Sequence, residues 1–149
     1  MKPTIKAMRD WLLTCPLFAE QMGDAATIRV NFLGADPVQF ALEDSPADPV
    51  LLQYFNGSKR IKNYALTSRM EYSEQQSQQA ANSGFFDELC AWIDAQNDAR
   101  NLPQLDGGRV CEGVAVNTSG YIIWTGSNTC RFQLQLQLQY FQPKGVFTK

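Results

Sequence analysis

The chain predicts an α+β fold: a mostly antiparallel sheet of about five to seven strands, covered on one face by two helices. Two observations carry that prediction. The segment Arg131–Phe141 (RFQLQLQLQYF) alternates strictly, with shorter apolar runs upstream separated by turn residues. Two other stretches, near Thr4 and after Gly84, carry apolar residues at helical spacing instead. At 149 residues the chain suits a single domain, spanning 1–149, with a core that needs neither metal nor disulfide.

Pro3-Thr4 opens the first helix, in which Ile5, Met8, Leu12 and Cys15 recur on one face with Trp11 beside them; Pro16 is expected to close it. Thr27–Leu33 alternates, with Ile28, Val30 and Phe32 inward. Gly34–Pro37 then reads as a turn, and Val38, Phe40 and Leu42 as the return strand. Glu43–Pro49 (EDSPADP) reads as an acidic, solvated loop, or as one reaching toward a neighbouring subunit. Val50–Phe55 and Ile61–Tyr72 form a hairpin about Asn56-Gly57, a pair suited to the positive φ of a tight turn. Just past it stand Lys59, Arg60 and Lys62. These cations are either an exposed edge that resists sheet-to-sheet association or a contact for an acidic surface or DNA. Tyr64, Leu66, Met70 and Tyr72 share one parity in the strand that follows, interrupted by Ser68.

After polar Ser73–Ala81, Phe86, Leu89 and Ile93 make a second helical stripe, widened by Phe85 and Trp92, with Asp87 and Glu88 early, where the helix dipole favours acids. One helix from about Glu74 to Asn97 fits, and so do two pieces meeting near Gly84. Asn101–Gly108 is turn-rich. Val110–Val116, a turn at Asn117–Gly120, Tyr121–Thr125 and the final strand then predict a three-stranded antiparallel meander. Gly145–Lys149 reads as a mobile tail.

The final strand has two unlike faces. Phe132, Leu134, Leu136, Leu138 and Tyr140 form one, expected to lie under the helices; Gln133, Gln135, Gln137 and Gln139 form the other. A long strand with an uncharged amide face invites association if it is left unpaired. That face, with Arg131, is therefore a candidate assembly surface or a plainly solvated one, and Lys59, Arg60 and Lys62 join it as candidates.

Composition narrows the chemistry. The chain is 44% hydrophobic and 19% charged, with a net charge of −2, which is globular and unsuited to a broad basic surface for specific nucleic-acid binding. Histidine is absent, which removes Ser–His–Asp and Cys–His nucleophile systems and His-ligated metals. Gly107-Gly108 is too short for a phosphate loop and precedes a strand. Cys15, Cys90, Cys111 and Cys130 are widely spaced and mostly inside apolar patterns, predicting reduced, buried thiols and a reducing compartment. Lys6, Arg9 and Asp10 interrupt the N-terminal apolar run, so neither a secretion signal nor a membrane span is expected. No catalytic, metal or cofactor role is expected.

The second half of the chain resembles a known family. FFDELCAWIDAQN, with Trp92-Ile93 through Asn97, is followed by LPQLDGG, with Leu102-Pro103 and Leu105, then by SGYIIW and the alternating RFQLQLQLQYFQ. In order and spacing, Gly84–Gln142 resembles the phage and prophage minor capsid proteins of tail-terminator (tail-completion) type. The N-terminal half fits in element order. The all-glutamine polar face of the last strand departs from the more charged strand expected there. The resemblance implies a tail-terminator-like subunit made in the bacterial host cytoplasm. In the virion it would assemble as a ring, typically a hexamer, at the head-proximal end of the tail. There it would cap the tail-tube protein and meet head-completion or neck proteins. A neck adaptor joining portal to tail is the neighbouring alternative. A ligand-binding domain with a pocket lined by Trp92, Trp124 and Tyr140 is a more distant one.

Overall fold

The computed structural model describes residues 2–23, 26–31, 39–46, 50–71, 76–126 and 129–145; side chains at 71, 76–81 and 119 are not described. The turn expected at Gly34–Pro37, the inward side chains Phe32, Val38 and Tyr72, and all but Gly145 of the C-terminal tail lie outside these residues. Three helices and six strands follow in the order α1 (Thr4–Leu12), α2 (Pro16–Met22), β1 (Arg29–Val30), β2 (Gln39–Ser45), β3 (Val50–Tyr54), β4 (Gly57–Glu71), α3 (Gln76–Asp98), β5 (Val110–Thr125) and β6 (Thr129–Pro143). The fold is α+β, as expected. The sheet runs β1-β2-β4-β6-β5, with β3 pairing β4 beside β2; every pairing is antiparallel except β1 with β2.

Four details depart from the sequence reading. Pro16 starts a helix instead of ending one: at the first helical position its missing N–H costs nothing, and α2 places Phe18 in the core. Helices over the sheet therefore number three, not two. β1 and β2 run parallel, so they are not a tight hairpin. β2 continues through Ser45, which pairs with Asn63, so the first part of the expected acidic loop is strand. The expected meander has two strands, because β5 runs unbroken through Asn117–Gly120. Those turn-forming residues are absorbed as irregularities between Val116 and Thr118 and between Thr118 and Tyr121, opposite an uninterrupted β6.

The core lies between the sheet and the helices. β6 supplies Phe132, Leu134, Leu136, Leu138 and Tyr140, and β4 supplies Tyr64, Leu66 and Met70, all buried. From above, Met8, Trp11, Leu12, Phe18, Phe85, Phe86, Leu89 and Ile93 close the layer. Phe86 stacks on Phe132 with ring centroids 5.1 Å apart, and Phe18 meets Phe40 edge-on at 5.0 Å. α3 passes Gly84 as one helix. It lies so close to β5 that a Cβ at Gly120 would sit 2.5 Å from the Phe86 ring, which is why a glycine stands there. Tyr64 is fully buried, and burial pushes its phenol up to about 12.

Asn97 fastens this layer. Its Oδ1 accepts from the Val114 N–H at 2.9 Å, and its Nδ2 donates to the Val114 carbonyl at 2.7 Å and the Ile93 carbonyl at 3.0 Å. One side chain thus supplies the donor and acceptor that a further strand would have offered to β5. The N-terminus is tied down similarly. Arg109, itself buried, donates to the Lys2 carbonyl at 2.8 Å and to Asp106, while Asp106 accepts from the Lys2 backbone N–H at 2.7 Å. These hydrogen bonds hold the Asp106 carboxyl below its usual range.

Candidate assembly interface

The opposite face of the sheet carries no helix among the described residues. Residues paired directly across strands share a face, so register alone shows which side chains meet there. Gln133 lies between Thr67 and Tyr121, Gln135 between Ala65 and Thr118, and Gln137 between Asn63 and Ala115. Gln139 lies between Ile61 and Gly113, and Arg131 between Arg69 and Trp124. Lys59 pairs with Phe141 and joins this face. Arg60 and Lys62 do not. They pair with Tyr140 and Leu138, which puts them on the helix side near the β3 end of the sheet. Six of the eight candidate residues therefore share one surface, and the three-cation run splits across two, because consecutive strand residues alternate sides.

The amide row is half-buried, and its members bond to their neighbours. Gln139 Nε2 donates to Gln137 Oε1 at 2.9 Å; Gln137 Nε2 donates to Asn63 Oδ1, and Gln135 Nε2 to the Tyr121 hydroxyl, each at 3.4 Å. Between the glutamines and β2 lie Ala41, Ala65 and Thr67, all buried although no helix covers them, because the longer side chains around them lean over. The surface is consequently neutral and low in relief along most of its length. Charge collects at one end. Arg69 and Arg131 face each other across β4 and β6, and the Arg69 guanidinium lies 5.5 Å from the centre of the Trp124 ring. Arg69 also reaches Thr129 Oγ1 at 3.5 Å, and Arg131 Nε is buried without a hydrogen-bond partner among the described residues.

Two apolar patches flank this face, and neither was singled out from the sequence. The first is the β3–β4 hairpin, where Leu51, Leu52 and Tyr54 are about half exposed and Phe55 is 96% exposed. Its turn centres on Phe55-Asn56, not Asn56-Gly57: Tyr54 pairs with Gly57, and neither Asn56 nor Gly57 has a positive φ. Gly57 is instead required by close approach, since a Cβ there would lie 2.5 Å from the Phe141 ring. The second patch is Tyr121–Trp124 on β5, each residue 38–47% exposed. The signal for both was an apolar run without alternation, VLLQYF and YIIW, in which no parity can be wholly buried.

Trp92, Trp124 and Tyr140 do not line a common pocket. Trp92 packs on Trp11 at 5.0 Å, Trp124 lies over Arg69 on the amide face, and Tyr140 faces the α1 end of the helix side beside Lys62. All four cysteines are free, with Cys90 half-buried and the others buried. Burial pushes every thiol up, Cys111 to about 11, which leaves them weak nucleophiles at neutral pH. Among the described residues no group of three or more Cys, Asp or Glu side chains is placed to hold a metal, and no helix is long and apolar enough to cross a membrane. No family model matches the chain, and no curated protein matches it closely enough to count as a relative.

Proposed function

We propose that this chain is an assembly subunit of a phage tail, of the tail-terminator type. Copies close into a ring at the head-proximal end of the tail, cap the tube and contribute to head–tail joining. The observation that carries the reading is the helix-free sheet face: a neutral, low-relief amide row bordered by exposed aromatic and aliphatic side chains. A face meant only for water would be expected to carry charge, as strand surfaces do to avoid association. A neutral amide face is instead suited to being covered by another protein, with its glutamines exchanging bonds with one another for bonds across an interface. Exposed apolar area on this scale supports the same conclusion. The resemblance of Gly84–Gln142 to the terminator pattern supplies the kind of assembly.

The double variant Gln135→Lys/Gln137→Lys tests it. Two cations in the middle of the row would be desolvated without partners on assembly. The monomer should fold normally by circular dichroism, while rings, seen by native mass spectrometry with or without the tube protein, should be lost. Intact rings would show that the face is ordinary solvent-exposed sheet. Particles lacking the protein separate the terminator from the neck adaptor: over-long tails indicate the first, full heads without tails the second.

A further inference from the structure

We propose that copies associate head to tail, with the β3–β4 hairpin of one seated against the Tyr121–Trp124 half of β5 on the next. The proposal rests on the assembly reading and names the contact that would build the ring.

The two patches lie on opposite edges of the sheet. β3 extends β4 on the β2 side, whereas β5 is the last strand beyond β6. They are also at opposite ends of the strands: the hairpin stands at the pairing of Gly57 with Pro143, and Tyr121–Trp124 stand opposite Gln133–Arg131. Within one copy they cannot meet. Two unlike patches on opposite edges are what a heterologous, ring-closing contact requires, whereas a two-fold dimer would need one self-complementary patch.

The rest of the β5 edge is already occupied. Asn97 takes both backbone groups of Val114, and Arg100 Nη1 donates to the Glu112 carbonyl at 3.2 Å. The Tyr121–Trp124 half has the larger exposed side chains. Irregularities before Tyr121 and between Ile122 and Trp124 bend this edge, so a side-chain seat for Phe55 fits better than a continued ladder.

Charge favours a second copy as the occupant. Lys62 and Lys144 are exposed beside the hairpin, with half-buried Lys59 and Arg60 between them and the sheet. On the β5 side, α3 turns Trp92 toward α1, so the flank about 160° away, bearing Asp87 and Asp94, overlooks the β5 edge. Both acids are exposed, and Cys90 lies between them, its thiol raised by burial and by their charge. One edge is therefore apolar with cations and the other apolar with carboxylates, the complementarity expected of two surfaces that meet.

Two variants of the full-length chain test the contact by native mass spectrometry. Phe55→Asp disables the hairpin and Ile123→Asp disables the β5 edge; neither residue belongs to the buried cluster. With wild-type rings present, each variant alone should give only monomer. An equimolar mixture should give heterodimers and nothing larger, because one intact hairpin and one intact edge remain. The heterodimer also demonstrates that both variants fold. Rings from either variant alone, or a mixture that stays monomeric, would overturn this contact and leave the assembly reading standing. Wild-type protein that is monomeric both alone and with tube protein would overturn both.

Discussion

The two faces of β6 are built from the same eleven-residue alternation yet meet opposite fates. On the helix side, Leu134, Leu136 and Leu138 are fully buried. On the other, Gln133–Gln139 are only half-buried, among alanine, threonine and tyrosine. The first face is irreplaceable to the monomer, since each buried leucine contributes about 1.5–3 kcal/mol and fills a shaped space. The second contributes mutual amide bonds worth about 1 kcal/mol each at most, because water competes for them. One strand thus divides its labour between holding the fold together and presenting a surface.

That division can be broken from either side. Leu136→Ala, at the centre of the buried row, should destabilise the monomer by about 2–5 kcal/mol in chemical denaturation. Asn97→Ala should cost about 1–3 kcal/mol by leaving Val114 N–H and C=O without partners, with hydrogen exchange at Val114 accelerated well above that of its neighbours. Gln137→Ala should cost no more than about 1 kcal/mol in the same denaturation experiment. A loss near that of Leu136→Ala would mean that the amide face is structural after all. The smallest effect concerns the N-terminal clip. Because hydrogen bonds from Lys2 and Arg109 depress the Asp106 pKa, the clip contributes fully above the ordinary carboxylate range and is lost as pH falls through the depressed value. Exchange of the Lys2 amide should rise over that acidic window, and Asp106→Asn should make it independent of pH there.

Much of the fold was legible because the signals were local and strong. The period-two pattern of Phe132–Tyr140 and the helical stripe Phe86–Leu89–Ile93 each name a buried face without reference to anything distant. The errors came where a partner overrode local chemistry. Asn117–Gly120 has the composition of a turn, but β6 offers a continuous ladder, and bulging costs less than abandoning it. Pro16 can end one helix or begin the next, and the core position of Phe18 selects the second. The candidate surface was legible in part. The glutamine row and Arg131 do share a face, with Lys59, while Arg60 and Lys62 fall on the other.

Side-chain alternation is a property of the strand itself, so the two-faced character of Arg131–Phe141 could be read from residue order. Which strands flank it is a matter of long-range pairing. Register across β4 and β5 places Arg69 opposite Arg131, sends the hairpin and the Tyr121–Trp124 patch to opposite edges, and turns Asn97 into a cap for β5. None of these has a local signature, because each joins residues far apart in the chain whose meeting depends on how the whole sheet closes under its helices.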